Sequence, residues 1–147
     1  MNANPLPSLF GRFTAIFKDH DHLAKTLRQL RAMCAALEDG QQSLPAELAP
    51  DVLIVHLRDD LSEHFAAEET DDYFGIVLAE APALASAIAG LKWEHLIMLR
   101  GAEVLCGIAN DPTRWAQLPA PTHELIGQLE RHERAESGLL RQLFAGS

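Results

Sequence analysis

One pattern occurs twice in the chain. His64-x-x-x-Glu68 and His132-x-x-x-Glu136 each set a glutamate four residues after a histidine. In an α-helix, residues four apart lie on one face, so each pair points an imidazole nitrogen and a carboxylate oxygen at one spot. By helical register one further histidine goes with each pair: His20 with the first, His95 with the second. The flanking residues repeat as well, with Leu61-Ser62-Glu63-His64 matched by Leu129-Glu130-Arg131-His132. Each half of the chain therefore offers two histidines and one glutamate in the same order.

Clustering four imidazoles and two carboxylates inside a fold would cost many kcal/mol if nothing compensated them, well beyond a domain's usual stability of about 5–15 kcal/mol. Shifted protonation relieves part of that cost. Cations relieve it more completely, because imidazole nitrogen and carboxylate oxygen are good ligands for divalent iron, manganese or zinc. A glutamate four residues past a ligating histidine can reach across to a second ion. The pattern therefore predicts two ions, with His20, His64, Glu68, His95, His132 and Glu136 as their ligands.

The remaining histidines read differently. His22 stands roughly 200° around a helix from His20 and should face away. His56 lies off the His64 stripe by roughly 80°, as an edge residue or an auxiliary ligand. His123 is expected to be solvated near a helix start. Glu69, about 100° from Glu68, is expected to be a solvated carboxylate, with support of a ligand as its alternative role.

Helices are the elements that must position these groups. Strand alternation and hairpin turns are weak throughout, whereas helical periodicity is strong in four places. The first runs from about Leu9 to Leu37, with Phe13, Ile16, Phe17, His20, Leu23, Leu27, Leu30 and Cys34 on one stripe, and stops at Asp39-Gly40. A loop from Gln41 to Ala49 leads to Pro50, a good first helical residue. The second stripe carries Leu53, Leu57, Leu61, His64 and Glu68 and fades near Thr70-Asp71-Asp72. A short turn over Tyr73 to Leu78 follows. The third begins near Pro82 with Leu84, Ile88, Leu91, His95, Met98, Ala102 and Leu105, and ends at Asn110-Asp111-Pro112. There Asp111 is a plausible cap for a turn through Trp115. Pro119 and Pro121 mark the last loop, before a fourth stripe of Leu125, Leu129, His132, Glu136, Leu139 and Leu143. The expected fold is all-α, an antiparallel four-helix bundle forming one domain over residues 1–147.

Composition narrows the function classes. The chain has 147 residues, 48% of them hydrophobic, and a formal charge of -9. That acidity disfavours nucleic-acid backbones and anionic membrane surfaces as partners. No run of about 18 apolar residues appears, and the N-terminus lacks the features of a leader. Cys34 and Cys106 sit among apolar residues and are expected to be buried free thiols, so the cytoplasm is the expected compartment. No His-Glu-x-x-His, phosphate-binding glycine loop, Cys-x-x-Cys or hydrolase-like nucleophile set is present.

The segment His64-Phe65-Ala66-Ala67-Glu68-Glu69, then Glu94-His95, then His132 through Glu136 resembles the hemerythrin-like HHE cation-binding domain of bacteria. The resemblance covers about Phe10 to Phe144. It implies a non-haem di-iron centre, often with an oxygen-derived bridge. By motif His20 and His64 would serve one iron, His95 and His132 the other, with Glu68 and Glu136 bridging. Oxygen-carrying hemerythrins place two histidines one turn apart on the third helix, but here Leu91 and Leu99 flank His95 at that distance. The centre would thus keep at least one more open position, which argues against simple oxygen carriage. Binding, sensing or reduction of oxygen, nitric oxide or peroxide is expected, in a dry pocket of Phe17, Leu61, Phe65, Leu91, Met98 and Leu129. The alternative is an iron-responsive interaction or stress-repair module whose metal is mainly structural.

Overall fold

The structure, a computed structural model, describes the backbone of residues 5–145 apart from 42, 71 and 72, and the side chains of residues 20–143 with the same omissions. Asp71 and Asp72, and the side chains of Phe13, Ile16, Phe17 and Phe144, lie outside that description. Among the described residues five α-helices are formed: α1 Pro5–Glu38, α2 Pro50–Glu68, α3 Phe74–Glu80, α4 Ala85–Ala109 and α5 Pro119–Ala145. Single 3₁₀ turns cover Ala46–Leu48 and Pro82–Leu84, and a longer one spans Pro112–Gln117. No strand occurs among the described residues. The protein is an all-α helical bundle. α2 packs on α1 and α4, and α5 packs on α4 and α1, so the four long helices enclose one core. No helix among the described residues is long and apolar enough to cross a membrane.

Local chemistry explains the helix boundaries. α1 ends where Gly40 turns to φ 75°. Its amide donates to the Leu37 carbonyl and the Gln41 amide to the Ala36 carbonyl, both at 3.1 Å, which satisfies two carbonyls left over at the helix end. The Asp111 carboxylate accepts the Thr113 amide at 3.0 Å and so caps the 3₁₀ turn that carries Trp115. Pro119 and Pro121 are not in a loop as expected; both lie in the first turn of α5. The first amides of a helix have no intrahelical acceptor, so a proline there gives up nothing. For the same reason the third stripe opens on a 3₁₀ turn at Pro82 before α4 proper begins at Ala85.

The expected stripes do face inward. Leu23, Leu27, Leu30 and Cys34 of α1, Leu53, Leu57 and Leu61 of α2, Met98, Ala102 and Leu105 of α4, and Leu125 and Leu129 of α5 share one apolar cluster. A second cluster joins Tyr73, Phe74, Val77, Ile88, Leu91, Leu139 and Leu140. Both cysteines are buried and free. Burial raises the Cys34 thiol to about 11. His64, Glu68, His95, His132 and Glu136 belong to neither apolar cluster, yet all five are buried.

Candidate metal centre

Each long helix contributes to one polar layer. α1 supplies His20, α4 supplies His95, α2 supplies His64 with Glu68 at its last turn, and α5 supplies His132 with Glu136 at mid-length. Glu68 is the centre of the arrangement. Its Oε2 lies 3.2 Å from His64 Nε2 and 3.9 Å from His20 Nε2. Its Oε1 lies 3.0 Å from His95 Nε2 and 4.0 Å from His132 Nε2. One carboxylate thus spans four imidazoles, giving one oxygen to each pair. Glu136 Oε2 stands 3.3 Å from His132 Nε2. Ligand atoms converge in two groups, His20, His64, Glu68 and Glu136 in one, and Glu68, His95 and His132 in the other, with all atoms of a group within 4.8 Å. Glu68 belongs to both.

Outer carboxylates fix two of the rings. His95 Nδ1 donates to Glu69 Oε2 at 2.9 Å, and His132 Nδ1 donates to Glu94 Oε2 at 3.3 Å. An ionised carboxylate only accepts, so each Nδ1 carries a proton and each Nε2 is left as the inward donor atom. Those two Nε2 atoms face each other across 3.1 Å. Phe65 stacks on His95, centroids 3.9 Å apart and planes within 9°, and Phe74 lies near-parallel to the same ring at 5.8 Å. Aromatic faces therefore hold the His95 plane while Glu69 holds its azimuth.

Burial and mutual proximity pull the charges apart. Burial alone would raise Glu68, but its close approach to Glu136, His132, His20 and His64 overrides it and takes its carboxyl well below the ordinary range. Burial and the neighbouring Glu68 carboxylate push Glu136 above the ordinary range. Burial acts to lower His132, but contact with Glu136 and Glu68 prevails and raises it to about 10. Tyr73, fully buried, is pushed up by burial and then by the charges of Glu136 and Glu68.

The donor set fits metal ions. All four carboxylate oxygens of Glu68 and Glu136 are buried and accept no well-formed hydrogen bond among the described residues. Two inward imidazole lone pairs 3.1 Å apart repel each other unless a proton or a cation lies between or beside them. Nitrogen and carboxylate oxygen together suit iron, manganese or zinc.

All six residues singled out by the repeat are brought together. The other histidines are not. His22 is exposed and bonds Asp60 at 3.0 Å, His123 is exposed and pairs with Glu38 at 2.7 Å, and His56 is exposed and in neither group. Glu69 is the supporting carboxylate rather than a merely solvated one. The repeat gave no role to Glu94 or Tyr73. Glu94 and Tyr73 act across helices or from a connection, where a stripe analysis has no register to read.

The family model described as the hemerythrin HHE cation binding domain matches residues 13–144. No curated protein and no solved structure matches the chain.

Proposed function

The chain belongs to the hemerythrin HHE cation-binding family, and from that premise we propose that it is a non-haem di-iron protein that binds, senses or reduces a small ligand such as oxygen, nitric oxide or peroxide. One iron is assigned to His20, His64, Glu68 and Glu136, the other to His95 and His132, with Glu68 and Glu136 shared. The observation that carries this reading is Glu68, whose two oxygens serve separate imidazole pairs at 3.2 and 3.0 Å. A bridging carboxylate needs that division of labour, and a single ion does not. Two irons would supply electron exchange and a coordination position open to a diatomic ligand.

The surrounding residues supply the rest. Phe65, Leu61, Met98 and Leu129 are at most 1% exposed and exclude water from the polar layer. Oxygen and nitric oxide need no polar recognition, so an apolar wall admits them. Leu91, one turn before His95 and buried, adds no ligand where a further histidine would close the coordination. Glu69 and Glu94 keep the two α4–α5 imidazoles aimed inward. The two buried free thiols suit a reducing cytoplasm.

Metal bound to anaerobically purified protein tests this, followed by absorption as oxygen is admitted. Two irons per chain and an oxygen-dependent band are expected; no transition metal after reconstitution with ferrous iron refutes it. The second reading, an iron-responsive interaction module, is favoured by the buried carboxylate oxygens that depend on cations for compensation. Ions held at about a hundred times their dissociation constant add about 2.7 kcal/mol, worth roughly 5–10 °C in melting temperature for a chain of this size. That stabilisation without any response to oxygen, nitric oxide or peroxide selects the module.

A further inference from the structure

The outward face of α4 is unlike those of α2 and α5. Trp93 is 64% exposed, and Leu96, Ile97 and Val104 are 60%, 44% and 56% exposed. At about 100° per residue these four fall within about 100° of the helix circumference, with exposed Arg100 set among them. α2 turns Asp51, Asp59 and Glu63 to solvent instead, and α5 turns Arg131, Arg134 and Arg141. The inward face of α4 is apolar too, with Leu91, Met98 and Leu105 buried. A helix apolar on both faces belongs in an interior, so its outer face calls for a cover.

The chemistry of this face matches a second copy of itself. α4 carries two basic and two acidic side chains, Lys92, Arg100, Glu94 and Glu103, and so no net charge, against -9 for the chain. Two copies therefore repel least when they meet along it. The stripe is also arranged symmetrically about position 98. In an antiparallel pair turned about a two-fold axis there, Trp93 comes level with Val104 of the second copy, and Leu96 and Ile97 with Arg100 of the second copy. Lys92 and Glu103 lie on one flank of the stripe, about 20° apart around the helix and about three turns apart along it. Antiparallel two-fold pairing brings like flanks together, so Lys92 of each copy meets Glu103 of the other. Both are exposed, and within one copy Glu103 has a loose 3.8 Å contact with Arg58 that leaves room for a second cation. The Arg100 stem can lie along the apolar stripe, with its guanidinium in reach of the Trp93 ring of the second copy.

We infer that the protein forms an antiparallel homodimer through the outer face of α4. The stripe from Gly90 to Gly107 is about 27 Å long on a helix about 10 Å wide. That footprint is smaller than the roughly 800 Å² per partner of a stable interface, so the dimer is a weak one, with a dissociation constant on the order of 100 μM.

Sedimentation equilibrium of the full chain between about 10 μM and about 1 mM tests this, with circular dichroism to confirm that each variant is folded. The mass is expected to rise from monomer toward dimer across that range. Leu96→Glu places a carboxylate near the axis of the pair and should keep the chain monomeric throughout. Val52→Glu, at an equally exposed apolar residue of α2, should leave the dimer unchanged. Lys92→Glu or Glu103→Lys alone sets two like-charge pairs across the axis and should weaken the dimer about tenfold. The two changes together restore opposite charges and should return the affinity to within about threefold of the wild type. A wild type that stays monomeric at about 1 mM means that a second copy is not what covers α4, which overturns the inference. A dimer that survives Leu96→Glu, or a double charge swap that restores nothing, overturns it as well.

Discussion

His64-Phe65-Ala66-Ala67-Glu68-Glu69 of α2 and His132-Glu133-Arg134-Ala135-Glu136-Ser137 of α5 repeat one ligand pattern, and the bundle uses the two copies differently. Glu68 lies within 4.0 Å of four imidazoles, whereas Glu136 lies 3.3 Å from His132 and shares a looser group with His20 and His64. Their carboxyls are consequently driven in opposite directions, Glu68 below and Glu136 above the ordinary range. The residue after each histidine differs too: Phe65 stacks on His95, and Glu133 lines a surface groove with Arg134 and Arg141. After each glutamate, Glu69 orients His95 from just beyond the end of α2, while Ser137 in mid-helix offers no carboxylate. The comparison teaches that an identical His–Glu pair acquires a central or a flanking position from how many partners the tertiary fold brings within reach.

The most forceful way to break that comparison is to delete each carboxylate in turn. Glu68→Ala should abolish binding of both ions, measured as metal per chain after anaerobic reconstitution, because each imidazole pair loses its shared oxygen. Glu136→Ala should be milder, leaving one ion bound and the second weakly held. Equal losses in the two variants would mean that Glu68 is not the centre of the site, and two irons with an unaltered spectrum in Glu136→Ala would remove that residue from it.

Smaller changes sharpen the contrast. Glu69→Gln and Glu94→Gln leave every inward donor in place but weaken the hold on the His95 and His132 protons. Each should reduce metal affinity by about 10–100-fold, read by competition with a chromophoric chelator. Glu69→Gln should have the larger effect of the two, since its hydrogen bond is 2.9 Å against 3.3 Å for Glu94. At the bottom of the scale, His123→Ala removes only an exposed pair with Glu38. Thermal denaturation should register less than about 1 kcal/mol, and metal content should not change.

Much of this was legible along the chain. The stripes of α2, α4 and α5 predicted the buried faces except at their ends, where Leu84 and Leu143 are half-buried, because a 3.6-residue period fixes which side chains share a side before any partner is known. The same period marked His20, His64, Glu68, His95, His132 and Glu136 as polar intrusions into apolar stripes, and they do converge. Pro119 and Pro121 misled, since a proline that breaks a helix interior is harmless in its first turn. His56 and His123 share their residue type with the ligands, and only their angular offset separated them.

The sequence by itself determined an all-α bundle and the membership of its polar layer, because helical periodicity is a local property that each segment carries alone. It could not determine which carboxylate lies among four imidazoles or which imidazoles meet outer carboxylates. Those depend on distances between helices far apart in the chain. Glu69 meets His95 across 26 residues and Glu94 meets His132 across 38. A repeated motif is symmetric in sequence, but packing four non-equivalent helices around it is not, and an electrostatic interaction falls off with distance in space rather than along the chain.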